Sequence, residues 1–325
     1  MSDLPGKVAV LGGGDIGCGW AALCVSAGWP VTLFDADSAH ADRALEEVPR
    51  RARALVEFER ATPGIVERGV QEFTCDGTLG AAVTDADWVI EAIPEDLALK
   101  QNLFAKVEAS ALPTALLTTS TSGLLPTEVF ARCRRHDRCL AAHPLNPPEL
   151  IPLVELVPSD FTRPESMRRA EGYLRALGRI PVTLKRAVPG FVVGRIAAAV
   201  WRECIDLVLK GVVDVDNLDR AVSLGPALGW AAGGPHLTYH LGAGSGGLQV
   251  FLQGLMTAFE SWWGTLAHWD RLEPEQRRAL IGEINRAYAG KIGMLREARD
   301  RRLAAIVKAL EQARSDAQPS PDSGE

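Results

Sequence analysis

The chain has 325 residues, 47% of them hydrophobic, and a formal net charge of −6 at pH 7. That length and apolar content suit two domains with sizeable cores, and mild acidity without long single-sign blocks leaves no basic footprint for nucleic acid. No apolar run reaches the roughly 20 residues that span a bilayer, and Met1 to Gly6 lead straight into a strand, not a secretory signal. A cytoplasmic protein with no membrane partner is expected.

The first element is an apolar strand from Lys7 to Leu11, followed by Gly12, Gly14 and Gly17 in GxGxxG spacing and then by small and apolar residues. Gly12 permits the tight turn, Gly14 lets backbone approach a pyrophosphate, and Gly17 allows a helix to pack closely on the strand. A second strand, Pro30 to Asp35, ends in an acid eighteen residues beyond Gly17. An acid there accepts hydrogen bonds from the adenosine ribose and repels a 2′-phosphate, and Ala36-Asp37 supply no compensating cation, so NAD is favoured over NADP.

Ser38 to Arg68 carries helical spacing, with interruptions expected near Pro49 and Pro63. Strand-like pieces then recur at Glu72 to Cys75, Trp88 to Ile93, Ala115 to Thr119, Leu140 to Ala142, Ile151 to Val157 and Pro181 to Leu184. Helical stretches such as Leu97 to Glu108 and Pro164 to Leu177 separate several of them, and this alternation predicts an α/β fold: a Rossmann-type, doubly wound, mostly parallel sheet.

Within that series, the strand ending at His143 is followed by a Pro-rich turn and a returning strand that contains Glu155. Such a return brings the two side chains together. A histidine held by a carboxylate is fixed in one tautomer and made more basic, as removal of an alcohol proton at neutral pH requires.

From Gly190 onward the pattern is helical, at Phe191 to Lys210, Val215 to Ser223, Leu248 to Thr265, Pro274 to Tyr288 and Met294 to Ala313. The expected organisation is a nucleotide-binding domain over 1–189, an all-α substrate and dimerisation domain over 190–314, and a disordered tail over 315–325. Cys18, Cys24, Cys75, Cys133, Cys139 and Cys204 lack a CxxC pair or a zinc-spaced histidine, which predicts reduced thiols, no disulfide and no metal.

Five motifs in order make the sequence resemble the 3-hydroxyacyl-CoA dehydrogenase family: the glycine loop, Glu91 to Glu95, Thr119 to Gly123, His143 to Pro148 with Glu155, and Val188 to Arg195. The resemblance implies His143 as general base with Glu155 orienting it, and Thr119 or Ser120 with Asn146 on the substrate oxygen. It also implies NAD held by Gly12, Gly14, Asp15, Ile16, Gly17, Asp35, Glu95 and Lys100, and a homodimer formed through the helical domain. The family commonly has asparagine where this chain has Gly194, so a water, Arg195 or another residue takes over that contact, or the substrate differs.

Details such as Ser120 to Pro126 and Gly229 to Leu241 look like the branch that acts on free 3-hydroxy acids, L-carnitine first and L-gulonate second, ahead of acyl-CoA thioesters. Trp230 and Tyr239 lie near the two ends of the second of these segments, and aromatic faces attract a trimethylammonium group by about 0.5–2 kcal/mol each. A small hydroxy acid is the expected substrate. A structural or ligand-binding protein on the same scaffold is the rival reading, favoured by Gly194.

Overall fold

The computed structural model describes residues 4–316. In chain order the elements are β1 (Val8–Leu11), α1 (Asp15–Ser26), β2 (Val31–Phe34), α2 (Ser38–Glu57), α3 (Pro63–Glu72), β3 (Thr74–Cys75), α4 (Leu79–Val83), β4 (Trp88–Glu91), α5 (Leu97–Ser110), β5 (Leu116–Thr119) and α6 (Pro126–Val129). They continue with β6 (Cys139–Pro144), β7 (Leu153–Pro158), α7 (Pro164–Ala176), β8 (Ile180–Thr183), α8 (Val193–Leu209), α9 (Val215–Leu224), α10 (Pro226–Leu241), α11 (Gly247–Trp263), α12 (Pro274–Tyr288) and α13 (Ile292–Asp316).

The strands form one sheet in the order β3-β2-β1-β4-β5-β6-β7-β8. All pairs are parallel except β6 with β7, so β7 and β8 run against the other six. The strand order reverses between β1 and β4, and ligands of doubly wound sheets bind beyond the carboxyl ends of the strands at such a reversal. The alternation of side chains along β1 divides the core: Val8 and Val10 join α1 and α2 on one face, while Ala9 and Leu11 join α5 on the other.

Pro49 lies inside α2 and does not interrupt it, contrary to expectation, whereas Pro63 opens α3. Buried Ala44, Val48, Ala52 and Leu55 form one stripe of α2, and packing that stripe outweighs the hydrogen bond lost to the proline. The segment Gly229 to Leu241 is helical too. It lies in α10, which kinks at Gly234 (φ 78°) just before Pro235.

By internal contacts the chain divides into one unit running up to Arg195 and resuming at Arg299, and a second unit over Ile196–Ala298. In the first, the end of α13 is tied down by Glu311, which accepts two 3.0 Å hydrogen bonds from the Arg60 guanidinium, and by Ala304 and Val307, both buried. The second unit is helical and leaves much of its apolar surface open, with Trp201 61%, Leu224 71% and Trp262 55% exposed. Among the described residues no helix is long and apolar enough to cross a membrane. Residues 317–325 of the expected tail lie outside the described residues.

Candidate active site

The turn after β1 is built for close approach. Gly12 has φ 113°, and a Cβ there would lie 2.6 Å from the Ala92 carbonyl oxygen; one on Gly17 would lie 1.8 Å from the Gly12 oxygen. At Gly14, the N-cap of α1, a Cβ would meet nothing within 4 Å, so the space over the helix terminus is open. Open amides at a helix N-terminus are what a pyrophosphate needs.

Asp35 follows β2 and faces this loop: Oδ2 accepts from the Gly13 amide at 2.6 Å and Oδ1 from the Asp37 amide at 2.9 Å. Its carboxylate keeps lone pairs for ribose hydroxyls. Asp15 and Ile16 open α1, and Asp15 Oδ1 is bound by Arg51 at 2.9 Å. Arg43 donates to the Gly13 carbonyl at 3.3 Å. The loop, the open helix terminus and Asp35 fit a dinucleotide of the NAD type.

At the far side of the sheet, His143 and Glu155 are register partners of β6 and β7. His143 Nδ1 lies 2.8 Å from Glu155 Oε2, with the histidine 8% and the glutamate 0% exposed. Glu155 Oε1 accepts from the amides of Val192 and Val193, at 2.9 and 3.0 Å, where α8 begins. Burial pushes the Glu155 carboxyl up, but the His143 hydrogen bond and these two amides outweigh it, and the net shift is downward. Against an ionised acceptor Nδ1 must carry the proton, which leaves the Nε2 lone pair free to take another.

The turn that presents those amides is constrained. Gly190 and Phe191 both have positive φ, 74° and 48°, a costly conformation for phenylalanine. The buried Phe191 ring meets the imidazole edge-on at 5.7 Å between centroids.

The residues expected on the substrate oxygen separate. Thr119 is buried, and its hydroxyl donates to Glu91 Oε2 at 2.5 Å, so it points away from an open site. Ser120 Oγ accepts from the Trp20 indole at 3.1 Å and keeps its own proton to donate. Asn146 is exposed. Ser122, which the sequence reading did not single out, is also exposed, and its carbonyl oxygen would lie 3.5 Å from a Cβ on Gly194. β5 ends at Thr119, and in the loop beyond it Thr121 is buried while Ser120 is half-buried and Ser122 exposed.

Glu95 takes the Ser122 amide at 2.9 Å and the Thr121 hydroxyl at 2.5 Å. Lys100 is buried against Glu91, at 2.6 Å, and is not presented to solvent. Arg195 is exposed and folds back toward the Pro189 carbonyl at 3.4 Å. Trp230 and Tyr239 belong to the helical unit; Tyr239 packs on Phe251 and Phe259 at 5.2 and 5.6 Å, a cluster that does not include Trp230.

Two family models match the chain: 3-hydroxyacyl-CoA dehydrogenase, NAD binding domain, over residues 7–187, and 3-hydroxyacyl-CoA dehydrogenase, C-terminal domain, over residues 190–280. The chain belongs to the 3-hydroxyacyl-CoA dehydrogenase family. It is an NAD-dependent oxidoreductase acting on a CH–OH group. An L-carnitine dehydrogenase of Pseudomonas sp is 34% identical over 307 residues, 93% of each chain. That of Burkholderia mallei is 36% identical over 282 residues, 85% of this chain and 83% of its own. Among solved structures, 5-formyl-3-hydroxy-2-methylpyridine 4-carboxylic acid 5-dehydrogenase, an NAD+-dependent dismutase, has a TM-score of 0.81 at 28% identity, covering 94% of this chain and 98% of that one.

Proposed function

We propose that this protein oxidises a small L-3-hydroxy acid at carbon 3, with L-carnitine as the substrate and 3-dehydrocarnitine as the product. The observation that carries the chemistry is the His143–Glu155 pair, whose free Nε2 is ready to take a hydroxyl proton. As that proton leaves the oxygen, Glu155 stabilises the imidazolium that forms. Ser120, Ser122 and Asn146 hold the substrate oxygen. NAD, when bound, accepts the hydride from carbon 3, and the Gly12–Gly17 loop, Asp35 and Glu95 are the residues that would hold it.

The substrate assignment is supported by the likeness to L-carnitine dehydrogenases at 34% and 36% identity over most of the chain. NADH formation across L-carnitine, L-gulonate, L-3-hydroxybutyrate and 3-hydroxybutyryl-CoA tests it: the highest kcat/KM is expected with L-carnitine, and a clear preference for any of the others removes the assignment. A second reading, a catalytically weak ligand-binding homologue, is favoured by Gly194 alone. It predicts NAD binding without turnover of any of the four.

The protein is read as a cytoplasmic homodimer, with the unit that begins the chain for the cofactor and the helical unit, Ile196–Ala298 and not the whole of the expected 190–314, for substrate and pairing. Exposed Trp201, Leu224, Trp262 and Ile281 support pairing through the helical unit, since so much open apolar surface marks an interface. Light scattering that returns a monomer mass at micromolar concentration removes that part.

A further inference from the structure

Glu91 closes β4 and Lys100 lies on α5, and both side chains are out of solvent, at 0% and 1% exposure. The Lys100 ammonium donates to Glu91 Oε1 at 2.6 Å and to the Ile93 carbonyl at 3.1 Å, and lies 3.4 Å from Glu95 Oε2. Glu91 is equally committed, accepting from the Ile93 amide at 2.7 Å and the Thr119 hydroxyl at 2.5 Å. From here the contacts run on without a break. Glu95 holds Thr121 and Ser122, Gly123 accepts the Gly190 amide at 3.3 Å, and the turn that follows Gly190 carries the amides that grip Glu155.

We propose that Glu91 is a positioning residue for the reaction: through Lys100 it fixes Glu95, and through Thr119 it fixes the Thr119–Gly123 loop, so that Ser122 and the Gly190–Val193 turn stand in register with the dyad. The proposal rests on the dehydrogenase reading above. A buried ion pair is a weak source of stability, because desolvation offsets its attraction, but it is directional when every donor is committed. Removing the Glu91 charge leaves Glu95 as the carboxylate partner of the Lys100 ammonium. Glu95 is 44% exposed at its side chain, and drawing it inward takes it off the Ser122 amide.

Three variants of the full chain test this: Glu91→Gln, Glu95→Gln, and the double variant Glu91→Leu with Lys100→Met, which replaces the pair by apolar side chains. Melting temperature, NADH dissociation constant, kcat and KM are measured for each. We expect kcat to fall at least about tenfold in all three, as misplacement of reacting groups predicts, with NADH binding weakened several-fold. Melting temperature should drop for Glu91→Gln but return towards wild type in the double variant and stay there for Glu95→Gln. If the double variant regains both melting temperature and kcat, the pair is only a core element and the proposal falls; wild-type kcat in Glu95→Gln also overturns it and decides the matter if the double variant does not fold. Should wild type turn over none of the four hydroxy compounds, the dehydrogenase reading fails by itself, and NADH dissociation constants unchanged across the three variants would overturn the positioning role.

Discussion

His143 and Glu155 face each other as partners in the antiparallel β6–β7 ladder, and the bond between their side chains, 2.8 Å long, is set by backbone pairing and not by loop geometry. Dyad variants should therefore lose chemistry without losing the fold. His143→Gln is expected to lower kcat at least about 10²-fold, the order of general-base loss, with NADH affinity little changed. Near-wild-type turnover in a folded His143→Gln enzyme would rule out the base.

The pH dependence follows from the Glu155 carboxyl, held below its ordinary value of 4.5 by His143 and two amides despite burial. A group with a depressed folded pKa contributes stability that is present above its unfolded value and is lost as pH falls through the folded one. The difference in unfolding free energy between wild type and Glu155→Gln should thus be widest near neutrality and shrink below pH 4.5. Denaturant titrations along that range measure it, and a gap that widens on acidification has the wrong sign.

Cofactor choice is expected to follow Asp35, whose carboxylate faces the glycine loop through Gly13. Replacing Asp35 by Ser together with Ala36→Arg should admit a 2′-phosphate and cut the preference for NAD over NADP. Equal wild-type dissociation constants for the two would show that Asp35 does not face the ribose.

The sheet, the glycine loop and the dyad were legible because each is written in local pattern: apolar runs, fixed spacing, and a turn that forces β7 back along β6. Direction was harder to read. Sequence left Thr119 and Ser120 as equals, and only the structure separates them: Thr119, the last residue of β5, turns to Glu91, while Ser120, just beyond the strand, meets Trp20. Lys100, expected among the cofactor contacts, is buried against Glu91, and nothing in a sequence announces that pairing across nine residues. The two amides of Val192 and Val193 had no signal at all, being backbone.

Gly194 has room for a side chain, since an added Cβ would meet only the Ser122 carbonyl at 3.5 Å. Gly194→Ala, near the start of α8, should stabilise by about 0.5–1 kcal/mol through lower chain entropy. Gly194→Asn should raise kcat if the glycine marks a lost contact to the reacting centre. A drop in kcat would mean that the substrate needs the space.

Recognition of a trimethylammonium group predicts that Trp230→Ala or Tyr239→Ala raises KM for L-carnitine far more than for an uncharged 3-hydroxy acid, because only a cation gains from ring faces. The packing of Tyr239 on Phe251 and Phe259 makes a stability loss the competing outcome. Equal KM changes for both substrates would assign these rings to packing.

The return of α13 makes the helical unit an insertion, not an appendix. The chain leaves the nucleotide-binding unit after Arg195 and re-enters it at Arg299, where Glu311 clasps Arg60 and Lys308 pairs with Glu59 at 2.5 Å. A truncation meant to trim the C-terminus therefore strips a helix from the unit that begins the chain. Excising the helical unit alone would require two cuts and a splice between Arg195 and Arg299.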